Sequence, residues 1–583
     1  MVSLRSSLLG PSGPFVSSAN VVGIAWRGKL GLGIGGAGLL GALLLACAPA
    51  SASSYLPRDE TLYTSGTSTS PPANFNPLLP TSYTGTVGLL YEPLFLYDPL
   101  HGKFLPWLAQ SGSWSGPTTY RLELRPGVEW VASPTGAPAG TLSGADVAFT
   151  VRLAMSDPSD PAHQDVASVR SVSSSGLSVT VHFARPVGYA QWQDFIWHAP
   201  VLPAATWSKQ PSGSPNMQPV ATGPMLLLSS SKSGACYRDN PHWWASSALG
   251  LRFKFTYLCD LVSPTSGAGL AQLLDDRVDW SNQFLRGIAN VADSKAAGYG
   301  IKTYYPSAPF MIPASTAWLQ MNLARSPMSN LDFRLGVAYA LDPAVVAQDA
   351  YAGTVQVASP SGLLPELSSW ADVAAEKKLG FHYSPSLAKK YLAKSGYKGQ
   401  KLTFLVPERK TDLRDAAELF AGQLAKVGVH VSVEAATTGT VAKDIASGHY
   451  DMVINQQVEV SSSPWQYFDT VYRLPLPAAL AAGQNTERFS DPAAWALVEQ
   501  AAATPASDRA VLSRLYDELQ VDFLEQLPEI PLWYTGAWFQ ANTKVWRGYP
   551  SSQSKGDQYT PVMWRGWLGS ATTVLALAAL RRS

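Results

Sequence analysis

From residue 385 to 455 the apolar residues change spacing segment by segment: helical over 385–395, strand-like over 401–406, helical over 412–427 and strand-like over 430–434 and 451–455. Helices placed between strands return the chain to the same edge of a sheet, so this order predicts a mostly parallel α/β sheet covered by helices. The first half carries the same vocabulary more sparsely. Residues 120–125 and 177–183 alternate apolar and polar and read as strands, and 144–154 reads as a helix with Asp146 in its first turn. Near the end, Val511, Leu515, Leu519 and Phe523 form a four-residue stripe on a helix predicted over 508–524.

The N-terminal region has a different character. Residues 1–46 contain Arg5, Arg27 and Lys29 and no acidic residue, and an apolar run of 17 residues over 30–46 leads into Leu44-Leu45-Ala46-Cys47. A basic region, an apolar region and small residues before a cut describe a secretory signal peptide over 1–46. Leu-x-Ala-Cys resembles a bacterial lipobox, which makes Cys47 the lipidated residue. A plain transmembrane anchor is the alternative, although the run is at the short limit for a spanning helix. Gly31-Leu32-Gly33-Ile34-Gly35-Gly36 fits the spacing of a dinucleotide fingerprint, but it lies inside this apolar segment rather than between a strand and a helix. Residues 47–72 are rich in Ser, Thr, Ala and Pro and read as a flexible tether behind the lipidated cysteine.

The 511 residues from 73 onward exceed a single core and predict several domains. Without Arg5, Arg27 and Lys29, 40 basic residues face 42 acidic ones, which leaves no basic surface for nucleic acid. Charged residues make up 15% of the chain, a low share that fits an acidic medium. Cys236 and Cys259 remain after Cys47. They flank a connection between β-like segments at 224–237 and 251–257, so a bridge across a hairpin and two buried thiols are both open. His242 alone between them matches no metal-ligand pattern, and no metal or other cofactor is expected.

The order of motifs along the body resembles the family 5 extracellular solute-binding proteins. It begins with Phe75-Asn76-Pro77-Leu78 and Leu90-Tyr91-Glu92-Pro93-Leu94, then Gly102-Lys103-Phe104-Leu105-Pro106-Trp107-Leu108-Ala109, and Tyr120 to Trp130 followed by Ala145-Asp146-Val147-Ala148-Phe149-Thr150. Thr222-Gly223-Pro224, Asn240-Pro241-His242-Trp243-Trp244, Asp332-Phe333-Arg334, Tyr450-Asp451-Met452 and Pro528-Glu529-Ile530-Pro531-Leu532 continue it, so the resemblance covers about residues 74–550. The insertion at 131–142 and Gly336 depart from the family pattern.

The resemblance implies an α/β, two-lobed periplasmic-binding-protein clamshell of the class II type, with an extra domain in the first lobe. Lobe I is then expected over 73–91, 204–305 and 534–583, the extra domain over 92–203 and lobe II over 306–533. It also implies a monomeric substrate-binding lipoprotein, outside the cytoplasm and anchored to the outer face of the cytoplasmic membrane. There it would pass a peptide-like solute to the transmembrane permease subunits of an ABC importer. An oligosaccharide, a metal chelate, or a chaperone or adhesin role on the same fold are the alternatives.

In peptide-binding members an aspartate just after the Tyr-Asp-Met strand holds the peptide amine. Counting back from Pro464 puts Val460 at that place and Glu459 one residue away, and a one-residue slip turns a strand side chain to the other face. Glu459 is the candidate substitute. Main-chain groups over Gln456, Gln457, Val458 and Glu459 are candidates to pair with an extended ligand. The loop 81–83 resembles the family's cleft-lining loop, which adds Ser82 and Tyr83, and Trp465 completes the set. No catalytic residues are assigned: the eight histidines are scattered, and neither a His-Glu-x-x-His nor a Gly-x-Ser-x-Gly motif occurs.

Overall fold

A computed structural model describes residues 56–65, 74–79, 82–83, 85–98, 103–187, 189–292, 298–455, 463–481, 483–537, 540–553 and 573–583. Two large sheets organise them. The first has seven strands in the order Met225–Ser231, Gly234–Asp239, Tyr257–Leu261, Thr61–Ser65, Trp280–Ser281, Gln540–Asn542, Ile301–Thr303. The second has six, in the order Gln356–Val357, Glu529–Ala537, Ile312–Met321, Met452–Asn455, Leu402–Pro407, Val431–Ala436.

Thr61–Ser65 corrects the tether expected over 47–72. It is a central strand, parallel to both Tyr257–Leu261 and Trp280–Ser281. Threonine-rich composition reads as solvated linker, but threonine is β-branched and fits a pleated sheet when both faces are covered. Here Thr61, Leu62, Thr64 and Ser65 are all fully buried. The Thr64 hydroxyl donates to Asp260 Oδ1 at 2.8 Å, and Arg58 closes the entrance by pairing with Asp279.

The mostly parallel sheet expected for the second half is also corrected. Leu402–Pro407 runs parallel to Val431–Ala436 and to Met452–Asn455, with helices Thr411–Ala425 and Thr438–Ser447 supplying the crossovers. Ile312–Met321 is antiparallel to both its neighbours, and Glu529–Ala537 is antiparallel to Gln356–Val357. The reason is that Ile312–Met321 brings the chain in from the first sheet and Glu529–Ala537 carries it back out, side by side and in opposite directions. That second strand stays in the six-stranded sheet as far as Ala537, past the boundary expected at 533/534.

A smaller unit sits on the first lobe. Its antiparallel sheet runs Ala109–Trp114, Thr119–Leu124, Ser178–Phe183, Val169–Ser175, packed by helices Gly144–Ser156 and Tyr189–His198. Asp146 does two jobs. One oxygen caps its own helix by accepting from the Ser143 N–H at 2.9 Å, and the other accepts from the Ala204 N–H at 2.9 Å, where the chain returns to the first lobe.

The joint between this unit and the first lobe is built around Glu92, which is fully buried. Its carboxylate accepts from the indole N–H groups of Trp107 (2.9 Å), Trp243 (3.1 Å) and Trp244 (3.0 Å) and from the Thr222 hydroxyl (2.8 Å). Next to Thr222, Gly223 donates to Leu90 O at 2.7 Å, and a Cβ there would lie 2.3 Å from that oxygen, so the close approach requires glycine.

Cys236 and Cys259 stand opposite each other on neighbouring antiparallel strands and form a disulfide. The segment expected as one strand over 224–237 is two, Met225–Ser231 and Gly234–Asp239, and the strand expected over 251–257 begins only at Tyr257. The alternation of Leu251, Phe253 and Phe255 is consumed by ring packing instead. Phe253 stacks on both Trp243 and Phe255. The helix Arg509–Gln526 buries Leu515, Leu519 and Phe523 but leaves Val511 only partly covered, since the 3.6-residue period rotates the face onto Leu512, Tyr516 and Leu524. The C-terminal apolar stretch contains the helix Thr573–Ala579, with Leu577 and Leu580 buried in the first lobe's core, and then a short strand Arg581–Arg582 on Trp546–Arg547.

Candidate functional site

The chain passes between the two sheets twice, from Thr303 to Ile312 and from Ala537 to Gln540. Two crossovers tie the lobes while leaving a seam between them. In α/β sheets such a seam collects ligand-binding loops at the carboxyl ends of parallel strands. In the first lobe those ends are Ser65, Leu261 and Ser281. The loop that follows Ser281 reaches the second lobe. The Phe284 ring lies 5.1 Å from that of Tyr351, and Arg286 forms an ion pair with Asp415 on helix Thr411–Ala425. The Tyr351 hydroxyl donates to Asp412 Oδ2 at 3.0 Å, on the same helix.

A second contact joins the second lobe to the smaller unit. Arg473 pairs with Asp469 at 2.5 Å on the helix Trp465–Tyr472, and its other guanidinium nitrogen donates to Gln164 Oε1 of the smaller unit at 2.8 Å. Burial pushes the Asp469 carboxyl up from its usual range and Arg473 opposes that rise. Facing it, burial pushes Asp194 up to about 7, and Asp165 adds to the rise. Tyr97 of the smaller unit packs with Ala314, Leu364 and Tyr534 of the second lobe. The second lobe therefore touches the first lobe through Phe284 and Arg286 and the smaller unit through Arg473 and Tyr97.

Removing the Arg473 cation has a predictable consequence. Arg473→Ala deletes the bond to Gln164, which crosses to the smaller unit, and leaves Asp469 with Gln484 alone, a loss inside the second lobe that the open and closed forms share. The ligand-free variant is expected to populate the open form, read as a larger radius of gyration in small-angle scattering. An unchanged radius would show that closure does not rest on this pair.

The candidate residues from the sequence divide into three groups. Tyr83 is buried in the first lobe, edge-on to Phe75, and its hydroxyl donates to Asp260 Oδ2 at 3.0 Å. Burial and that carboxylate push its pKa well up. Ser82 is half-buried, and its hydroxyl has no hydrogen-bond partner. Trp465 is buried in the helical core of the second lobe, where its indole donates to Val498 O at 3.2 Å. Tyr83 and Trp465 belong to separate cores and do not come together. Gln456, Gln457, Val458, Glu459 and Cys47 lie outside the described residues, although the strand Met452–Asn455 runs directly into the first four.

Sequence reasoning missed Asn282 and Gln540. Both are fully buried, one directly after the strand Trp280–Ser281 and the other beginning the strand paired with it. Neither polar atom of the Asn282 amide has a partner, and the Gln540 Oε1 has none either. An asparagine next to a glutamine at a strand end carries no signal of its own, since polar residues at strand ends are ordinary turn chemistry. No group of three or more His, Cys, Asp or Glu side chains able to hold a metal occurs among the described residues.

Comparison with known proteins adds the following. A family model described as bacterial extracellular solute-binding proteins, family 5 middle, matches residues 103–474. Among solved structures, a periplasmic oligopeptide-binding protein of an ABC transporter from Thermotoga maritima, described as bound to mannohexaose, is 31% identical with a TM-score of 0.83. The match covers 91% of this chain and 99% of that one. A probable ABC transporter periplasmic-binding protein, SapA, of Escherichia coli K12 is 24% identical over 76% of this chain and 81% of that protein. The nickel-binding periplasmic protein of the same organism is 23% identical over 77% and 86%.

Proposed function

Because the chain belongs to the family 5 bacterial extracellular solute-binding proteins, we propose that it captures a peptide-like solute between its two lobes and delivers it to the transmembrane subunits of an ABC importer, held at the outer face of the membrane by a lipid on Cys47. The family and the solved relatives are binding proteins, they act outside the cytoplasm, and the role of this chain is solute binding in import. No helix among the described residues is long and apolar enough to cross a membrane.

The observation that carries the reading is the seam itself, crossed twice by the chain and bridged by contacts from the second lobe to the first lobe and to the smaller unit. Such a device works by population shift. A ligand touching both lobes lowers the free energy of the closed form, and the importer distinguishes closed from open. Glu459, in the stretch after Met452–Asn455, is the proposed partner of a peptide amine, and the main chain of 456–459 is proposed to pair with an extended ligand. An oligosaccharide is the second reading, favoured by the unpaired neutral amides of Asn282 and Gln540.

The test is a thermal-shift screen of residues 56–583 against di- to pentapeptide pools, oligosaccharides and nickel–histidine. A ligand that binds only the native state stabilises it by about 2.7 kcal/mol at a hundredfold excess over Kd. A shift with peptides is the expected result. A shift with oligosaccharides alone replaces the peptide reading with the second one. Absence of a shift with every pool overturns solute capture.

A further inference from the structure

We propose that the exposed face of the second lobe around residues 377–394 docks on an anionic lipid surface, through its lysines and the aromatic rim of an apolar cavity beside them. The proposal does not depend on which solute is captured. Residues 373–407 hold seven lysines, one glutamate and no arginine or aspartate, in a chain whose formal net charge is +1. The near balance of the whole conceals this local excess. Lys377 and Lys378 end the helix Val373–Leu379 and are exposed. On the next helix, Pro385–Ser395, Ala388 and Leu392 turn inward while Lys389, Lys390 and Lys394 are exposed. Lys398 and Lys401, also exposed, follow it. Lys394 pairs with Asp332 at 2.8 Å, and the other six have no ion-pair partner among the described residues. The one glutamate, Glu376, accepts from the Ser361 N–H at 3.2 Å. Lys377 and Lys378 complement the carbonyl end of their own helix, but Lys389 and Lys390 lie in mid-helix and have no such role.

Charge alone describes a solvated face, and exposed apolar surface distinguishes this one. A cavity of about 200 Å³ opens here. Its wall includes Phe381, His382 and Tyr383, which join the two helices, and Val357, on the edge strand of the six-stranded sheet. Val357 and Tyr383 are 39% and 41% exposed, and Val345, next to Ala344 of the wall, is 40% exposed. The lysines flank this rim on both sides. Gly380, just past Lys377 and Lys378, lies so close to Pro360 of the wall that a Cβ there would stand 2.9 Å from the proline ring. On the other side the His382 ring meets Tyr339 edge-on at 5.7 Å, and Tyr339 stacks at 5.5 Å on Tyr391, the residue after Lys390.

The composition of the face selects its partner. Protein–protein interfaces favour arginine and are depleted in lysine, because the guanidinium fork matches a carboxylate and the ammonium holds its water. This segment has seven lysines and no arginine. Lipid headgroups present diffuse phosphate charge that asks for no fixed geometry, and clustered lysines near such a surface are each attracted to it. Lysine stems lie along apolar surface while their heads reach the phosphates, and an exposed tyrosine sits at headgroup level. The relatives act outside the cytoplasm and the role of this chain is import, so the polyanion within its reach is a membrane rather than a nucleic acid. Attraction to that surface concentrates the carrier where its membrane-embedded acceptor lies.

The experiment is co-sedimentation of residues 56–583, which hold every described element and carry no lipid, with vesicles of phosphatidylcholine alone or with about one-third phosphatidylglycerol. Three variants accompany wild type. The first reverses charge at the face (Lys377→Glu, Lys378→Glu, Lys389→Glu, Lys390→Glu). The second makes the same change in net charge at lysines exposed elsewhere (Lys209→Glu, Lys232→Glu, Lys254→Glu, Lys302→Glu). The third, Tyr383→Ala, keeps the charge and tests the rim by itself. Wild type is expected to bind the anionic vesicles only, and less as salt is raised from about 0.05 to 0.5 M. The face variant is expected to bind at least tenfold more weakly, Tyr383→Ala severalfold more weakly, and the control within about twofold of wild type, with melting temperatures unchanged in all three. Absence of wild-type binding to anionic vesicles overturns the proposal. Equal losses in the face variant and the control overturn it in favour of unspecific charge attraction. Binding to soluble polyglutamate but not to vesicles overturns it in favour of an acidic protein partner. Solute capture stands in each of these cases, because the thermal-shift screen reads it separately.

Discussion

Glu92→Ala is expected to lower the stability of the folded chain by about 3–5 kcal/mol. Removing the carboxylate leaves three indole N–H groups and the Thr222 hydroxyl with no acceptor in a fully buried place. Each orphaned donor costs roughly 1–3 kcal/mol, and water entering the vacated volume recovers part of the sum. Glu92→Gln is expected to be milder but still destabilising, because its amide N–H₂ must face at least one indole N–H. Urea unfolding followed by tryptophan fluorescence measures both. A loss below about 1 kcal/mol for Glu92→Ala, less than a single orphaned donor costs, would show that this carboxylate is not what couples the smaller unit to the first lobe.

Unfolding free energy is expected to be larger at pH 5 than at pH 8. Burial pushes Glu92, Asp194 and Glu366 up to about 7, and Asp160 and Asp522 up to about 6. At Glu92 the Thr222 and indole hydrogen bonds oppose the rise without cancelling it. Glu487 and Glu529, which meet over Gln320 in the second lobe, are also raised, chiefly by burial. The sign follows from linkage. Each of these groups has a folded pKa above its unfolded value, so between about 4.5 and 7 the native state binds more protons than the unfolded chain. The stabilisation is full below the unfolded pKa and is lost as pH rises through the folded one. Asp157 and Asp276 move the other way, but both are only partly buried and contribute little. A tenfold difference in proton affinity between the folded and unfolded states is worth about 1.4 kcal/mol, so the summed fall between pH 5 and 8 is on the order of several kcal/mol. Chemical denaturation at the two pH values checks it, and stability that is flat or rising toward pH 8 would refute it.

The parts of this fold legible in the sequence are those whose signal is local. The helix Pro385–Ser395 begins at a serine N-cap followed by proline and ends at Gly396 in the left-handed conformation, and its predicted and observed bounds coincide. The motifs around Glu92 marked family membership but said nothing of what the carboxylate holds, because its donors come from Trp107, Thr222, Trp243 and Trp244, distant in sequence. Thr61–Ser65 was illegible for a related reason. Five mostly polar residues become a strand only when Tyr257–Leu261 and Trp280–Ser281 flank them. At the candidate site, Tyr83 and Trp465 are aromatic residues near motifs expected to line the cleft, and the structure gives both internal partners. Asn282 stands out only through the bonds it does not make, and unmade bonds leave no trace in a sequence.

The placement of Thr61–Ser65 at the middle of the seven-stranded sheet also sets an order of assembly. Its neighbours arrive from the middle of the chain, and Trp546 donates to Thr61 O at 3.1 Å across a separation of 485 residues. The six-stranded sheet, by contrast, draws every strand from between Ile312 and Ala537. As a chain emerges from its amino end, the second lobe can complete itself while the first still waits for Gln540–Asn542 and Trp546. The earliest part of the body is thus the last to be locked, because closing so long a loop precedes any reward from the contacts it brings.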